Sequence, residues 1–163
     1  MTGRGVLVYG SLLHEPTLAA TFSEGTVADA VPVEVDGYRR RFDKASAYRE
    51  GDGGETAILN AAPDPESWLN AVLVPDVPEG EFEEYERREF RYELVDVPAN
   101  DVTPYFEADE PVVEPLDERL IATSDGGLDD PEPIPYYADQ CVEGARGWGE
   151  KFLADFLVTT DRV

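Results

Sequence analysis

Apolar residues follow two rhythms along this chain. In the first half they form short runs and alternations. Residues 5–12, GVLVYGSL, are an almost continuous apolar stretch, the pattern of a strand covered on both faces. HEPTLAATF (14–22) has the composition of a short helix, with Pro16 tolerated in its first turn. Residues 25–42, GTVADAVPVEVDGYRRRF, read as extended chain broken near Pro32 and at Asp36–Gly37, a turn signal. ETAILNA and SWLNAVLV predict two more strands, separated by a Pro- and Asp-containing turn at 63–66.

The second half changes period. EGEFEEYERREFRY (79–92) has no Gly or Pro after Gly80 and predicts a helix. ELVDV returns to strand. Residues 98–135 are rich in Pro and Asp, with one strand-like piece, RLIAT; they read as a long irregular excursion. From Pro135 onward two helices are expected, meeting near Gly147 to Gly149. Strands early and helices late make an α+β class: a small mixed β-barrel or curved sheet with flanking helices, in one domain spanning 1–163.

Composition narrows the partners. Over 163 residues the net charge is −23, from 36 acidic and 13 basic residues, yet 42% are hydrophobic, so the chain should fold. Such a charge repels phosphate backbones, which excludes nucleic acid and anionic membrane as expected partners. The acids are dispersed and only Lys44 and Lys151 are lysines. That combination points to a halophilic host, an archaeon with a salt-adapted cytoplasm whose ions screen the repulsion. With one cysteine, Cys141, no internal disulfide can form. No stretch reads as a signal peptide or a membrane span, so a cytoplasmic location is expected.

Few residues offer familiar chemistry. There is no GxGxxG, P-loop, CxxC or HExxH. His14 is the single histidine, which rules out a His cluster for metal; it sits three residues from Ser11, a poor arrangement for a triad, and fits a loop or helix start. Cys141 falls on an apolar helix position and reads as a buried thiol. SDGGLDD (124–130) lacks the ligand spacing and terminal Glu of a calcium loop and reads as a solvated acidic turn. Tyr136, Tyr137 and Trp148 read as core packing in preference to pocket lining.

Two features carry more. In the 79–92 helix, Phe82, Tyr85, Glu89 and Tyr92 are spaced 3, 4, 3 and share one face, with Glu84, Arg87, Arg88 and Arg91 on the other. A carboxylate inside an aromatic stripe loses hydration, its pKa rises, and it suits general acid–base work near neutrality. The same pattern fits an edge glutamate whose head reaches water, or one paired with an arginine such as Arg40. Glu86, at the stripe's margin, is the competing candidate. The second feature is Tyr9-Gly10-Ser11-Leu12. A strand ending in Gly-Ser can turn sharply and leave N–H groups free to hold a carboxylate or oxyanion; an ordinary β-turn would use the same residues.

Taken together, these segments resemble the gamma-glutamylcyclotransferase-like family. VYGSLL looks like its Tyr-Gly-Ser loop, and YERREFRYELVDV like its Arg-Glu motif before an aromatic and a strand. GYRRRF is similar to the strand that follows in the ChaC-type branch, and YADQCVEGARGWGEKFLADFLVTT to the C-terminal helical part. The four cover most of the chain in order, and the first two are the specific ones. The resemblance implies a barrel-like α+β fold and cleavage of a γ-glutamyl amide, in which the substrate's own α-amine attacks its γ-carbonyl and releases 5-oxoproline. It implies no metal, no cofactor and no protein nucleophile. By motif position Glu89 would be the base, and Tyr9, Gly10, Ser11 and Leu12 would bind the glutamyl group. In a salt-adapted host γ-glutamylcysteine fits as substrate. Many relatives have Gly after the catalytic Glu, where this chain has Phe90; a non-catalytic binding module on the same fold is the alternative it raises. Residues 98–135 have no counterpart in the resemblance and are expected to cover the cleft.

Overall fold

A computed structural model describes residues 3–45, 56–89, 92–124, 132–133 and 135–161. Among these, eight strands form one mixed sheet: β1 (Arg4–Val8), β2 (Val31–Ala45), β3 (Thr56–Val74), β4 (Glu93–Asp96), β5 (Val102–Pro104), β6 (Glu118–Thr123), β7 (Glu132–Pro133) and β8 (Thr160–Asp161). The order is β4-β6-β1-β3-β2-β5, with β7 added to β3 and β8 to β2. The path has two ends, β4 and β5, so the sheet is open; of the two architectures expected, it is not the barrel. Six helices accompany it: α1 (Glu15–Thr21), α2 (Glu24–Val27), α3 (Glu79–Arg88), α4 (Glu110–Val113), α5 (Pro135–Arg146) and α6 (Glu150–Val158).

β1 is central, antiparallel to β3 and parallel to β6. Its Val6, Leu7 and Val8 are all buried, which is why its sequence is a continuous run without alternation. The strand stops at Val8, earlier than residue 12, because Ser11–Leu13 form a 3-10 turn. Residues 25–27, expected to be extended, belong to α2 instead.

β2 and β3 form one long hairpin, and the breaks expected in each lie opposite one another. Asp36 pairs with Trp68, but Tyr38 pairs with Pro63, so residues 64–67 bulge out facing Gly37. Asp64 closes the bulge, its carboxylate accepting from the Glu66 N–H (3.1 Å) and the Ser67 hydroxyl (2.8 Å). Gly37 has φ +94°, the left-handed region that glycine enters without steric cost. The turn signals were therefore local kinks, and pairing resumes beyond them.

The 98–135 stretch holds more regular structure than expected. It supplies β5 on one edge of the sheet, α4, and β6 beside β1. The acidic turn at 125–130, with its rejected calcium reading, lies outside the described residues. α5 and α6 break at 147–149 as predicted, with Gly149 at φ +112°.

Two packing contacts position the site. Arg4, at the start of β1, pairs with Glu79 (2.8 Å) and lies 3.8 Å over the Phe82 ring, fixing α3 alongside β1. At the other end α5 presses on the turn after β1. A Cβ on Gly144 would come within 2.5 Å of the His14 nitrogen and 2.7 Å of the Leu13 carbonyl carbon. Both are backbone atoms, so the chain itself would have to move. Trp148 adds a hydrogen bond from its indole to the Leu13 carbonyl, 3.2 Å. Gly144→Ala should destabilise the protein by about 1–3 kcal/mol, the usual cost of overpacking, read as a lower urea midpoint; an unchanged midpoint would show that α5 can move off the turn freely.

Candidate active site

The site lies where the end of β1, the end of α3 and one edge of β3 meet. The hairpin partner β2 satisfies one side of β3. On the other side, at Leu59 and Ala61, hydroxyls from four separate residues take the place of a neighbouring strand. The Leu59 N–H donates to the Tyr137 hydroxyl (3.2 Å) and the Ala61 N–H to the Tyr9 hydroxyl (3.1 Å). The Tyr92 hydroxyl donates to the Leu59 carbonyl and the Thr123 hydroxyl to the Ala61 carbonyl, both at 2.5 Å. Buried backbone groups need such partners, so this wall is a structural requirement.

Tyr9 is tied at both ends. Its hydroxyl also donates to the Ala122 carbonyl (2.6 Å), and its own carbonyl accepts from the Arg40 guanidinium (2.9 Å). The chain then turns: the Leu13 N–H returns to the Gly10 carbonyl at 2.9 Å. In such a turn the first N–H groups have no carbonyl of their own turn to bind. Among the described residues, none accepts from the N–H of Ser11 or Leu12. Gly10 is buried against Tyr137, whose hydroxyl oxygen would lie 3.3 Å from a Cβ there.

α3 brings the carboxylate. Phe82 and Tyr85 are buried as the stripe requires, but the helix ends at Arg88, short of residue 92. Glu89 is its C-cap, and the Tyr92 N–H closes onto the Glu89 carbonyl at 2.9 Å. Phe90, on which the non-catalytic alternative rests, lies outside the described residues. The Glu89 side chain is 16% exposed, mostly buried but not sealed from solvent. Burial raises its pKa from 4.5 to about 7, against a smaller opposing pull from Arg88. Burial likewise raises the Tyr9 and Tyr85 hydroxyls, with Glu89 adding to each, so both stay protonated at neutral pH. Glu86 is exposed.

Arg88 joins the two halves of the site. It donates to the Ser11 hydroxyl at 2.9 Å, and its Nε lies 3.9 Å from Glu89 Oε1. The arginine beside Glu89 is therefore Arg88; Arg40 is committed to the Tyr9 carbonyl, Asn70, Thr159 and Thr160. Sequence reasoning placed Arg88 on the opposite face from Glu89, because it extended the helix past the point where it stops. Tyr137, read as core, is buried but also borders Gly10; no periodicity marks that. Trp148 is half-buried under the turn, and the Tyr136 side chain is outside the description. His14 caps α1 and Cys141 is buried, as expected. Among the described residues no cluster of three or more His, Cys, Asp or Glu could hold a metal ion, and no helix is long and apolar enough to cross a membrane.

Comparison with solved structures places this arrangement. The chain superposes on a structure described as gamma-glutamyl cyclotransferase with a TM-score of 0.62, covering 96% of this chain and 87% of the other at 12% identity. It superposes on YkqA from Bacillus subtilis with a TM-score of 0.63 at 15% identity, covering 95% of this chain and spanning about half (53%) of YkqA. The chain has the gamma-glutamyl cyclotransferase-like fold. The glutathione-specific gamma-glutamyl cyclotransferase from yeast shares it as well, with a TM-score of 0.51, 18% identity and coverage of 100% and 90% of the two chains. No family model matches the sequence, and no curated protein matches it. Across such low identities the likeness is one of fold.

The poise of Glu89 has a consequence for stability. The folded carboxyl keeps its proton up to about pH 7, whereas its ordinary value is 4.5. Between these values the native state binds more protons than the unfolded one, so stability is full below about 4.5 and falls as pH rises through 7. Glu89→Gln should therefore stabilise the protein at pH 8, by up to about 3 kcal/mol, with the gain vanishing near pH 4.5. Paired thermal melts at the two pH values would show it; an equal effect at both would mean Glu89 is solvated in the folded state.

Proposed function

We propose that the protein is a gamma-glutamyl cyclotransferase that acts on a small γ-glutamyl peptide or amine. The observation that carries this reading is Glu89: a carboxylate poised near neutrality, linked through one guanidinium to Ser11 of a turn whose Ser11 and Leu12 N–H groups have no acceptor among the described residues. The resemblance of the Tyr-Gly-Ser and Arg-Glu segments supports it, as does the shared fold.

The chemistry needs little more. The substrate's α-amine and γ-carbonyl belong to one molecule, and folding them together supplies much of the activation through intramolecular positioning. Glu89 removes the amine proton as nitrogen attacks the carbonyl carbon. A C–N bond forms, closing a five-membered lactam ring, and negative charge gathers on the carbonyl oxygen. The N–H groups of Ser11 and Leu12, which have no acceptor among the described residues, are the donors for that charge. Glu89 then gives its proton to the leaving nitrogen as the amide C–N bond breaks. The products are 5-oxoproline and the free amine, with atoms and protons balanced. Tyr9 and Tyr85 hold the walls and exchange no proton near neutrality. A salt-adapted, cytoplasmic setting with γ-glutamylcysteine as substrate fits the dispersed acidic surface.

Release of 5-oxoproline from a panel of γ-glutamyl dipeptides and amines, in molar KCl, tests the reading. Wild type should release it, with kcat/KM rising with pH through about 7 as Glu89 ionises. Glu89→Gln should lower the rate by about 10²–10⁴-fold, the usual contribution of a general base. Turnover that survives in the variant would move the base elsewhere. No release from any substrate by the folded protein would favour the binding-module alternative.

A further inference from the structure

We infer that Arg88 is the residue that reads the substrate's α-carboxylate and so restricts the site to γ-glutamyl groups. The inference rests on the cyclotransferase reading and deepens it. In a γ-glutamyl group the reacting amine and the α-carboxylate hang from one carbon, so their nitrogen and oxygen atoms lie about 3 Å apart by covalent geometry. If the amine is at Glu89, the carboxylate falls within a few ångströms of Glu89 as well. A carboxylate there needs a cation, or two anions share one site.

The structure supplies the cation. Arg88 Nε lies 3.9 Å from Glu89 Oε1, and a second nitrogen donates to Ser11 at 2.9 Å. Neither contact uses the guanidinium fully. The distance to Glu89 is too long for a hydrogen bond, and the hydroxyl of Ser11 is a neutral acceptor. Among the described residues Arg88 has no other hydrogen bond, so several of its five N–H donors remain available. A side chain that served only to neutralise Glu89 would close on it, as Arg39 closes on Asp161 at 2.6 Å. Arg88 instead holds its planar fork over the gap between carboxylate and turn, 32% exposed, in reach of an incoming anion. Ser11 accepts from one nitrogen and fixes the direction of the fork.

The two functions of the α-carbon can be separated with a matched substrate. A 4-aminobutyryl amide keeps the amine and the carbonyl and can close the same ring, giving 2-pyrrolidinone, but has no α-carboxylate. Wild type should prefer the γ-glutamyl amide of the same leaving amine. In Arg88→Met the preference, the ratio of the two kcat/KM values, should collapse by about 10–100-fold, the worth of a charge-assisted hydrogen-bonded pair, because the γ-glutamyl amide loses far more than the 4-aminobutyryl amide. Arg88→Lys should keep part of the preference, and Ser11→Ala, which spares the cation, most of it. A parallel fall on both substrates would assign Arg88 a structural role in holding the turn and overturn the inference. A binding arm stands apart from turnover: NMR titration with 5-oxoproline and with 2-pyrrolidinone, its counterpart without the carboxylate. Wild type should bind 5-oxoproline more tightly, and Arg88→Met should bind the two alike. If wild type forms no lactam yet shows this difference, the cyclotransferase reading fails while the carboxylate site stands. If wild type binds both equally, the carboxylate site fails.

Discussion

The fold is organised around one buried cation. Arg40, midway along β2, is fully buried, and among the described residues no carboxylate pairs with it. Its charge is met by oxygen dipoles instead: the carbonyl of Tyr9 at the end of β1, the carbonyl and side-chain oxygens of Asn70 on β3, and the hydroxyls of Thr159 and Thr160 after α6. The Phe156 ring lies 4.3 Å beneath the guanidinium. Burial lowers its pKa to about 9, which leaves it charged at neutral pH. Only a planar fork with donors on three nitrogens can reach so many separate acceptors at once, and a lysine could not. The arrangement fixes where β1 ends and which way the Tyr9 carbonyl points. A carbonyl held by a cation is polarised, and the N–H of the same peptide, that of Gly10, becomes the better donor.

Arg40 and the tyrosines divide the work around β3. At Asn70 the strand is held by the cation; at Leu59 and Ala61 it is held by hydroxyls from the residue after β1, from β6, from α5 and from the segment before β4. Each of these tyrosines closes a contact between segments far apart in sequence, so the aromatic content of the site is spent on architecture. That leaves Glu89 as the group whose charge changes near neutrality and Arg88 as the cation at its side. The separation is useful physically, since the Glu89 carboxyl can then change its ionisation without loosening the walls.

Much of this was legible in the residues. The unbroken apolar run of Val6 to Val8 identified a strand covered on both faces, and Gly147 to Gly149 marked the break between the last two helices. The Phe82–Tyr85–Glu89 spacing located the carboxylate on the buried side of α3. The misplacements share a cause: each depended on a contact distant in sequence. Helix propensity carried α3 through to residue 92, but Tyr92 is tethered to Leu59 on β3, and the chain leaves the helix at Arg88 to reach it. That early stop swings Arg88 beside Glu89 and toward Ser11, 77 residues away, a partnership that periodicity alone assigns to opposite faces. Gly37 and Asp64 announced turns correctly as local conformations; only their pairing across the hairpin shows that the strands continue past them.

The place where α3 stops also bears on the chemistry. A carboxylate at a helix C-terminus faces the negative end of the backbone dipoles, so its ionised form is disfavoured there beyond the effect of burial. Glu89 occupies that position as the C-cap of α3, with a guanidinium held just beyond hydrogen-bonding distance beside it. Burial pushes its pKa up, Arg88 pulls it partway down, and the balance lies near neutrality. The contact with Ser11 holds the guanidinium off Glu89, so the turn after β1 bears on the carboxyl at the end of α3 as well as on the cation between them.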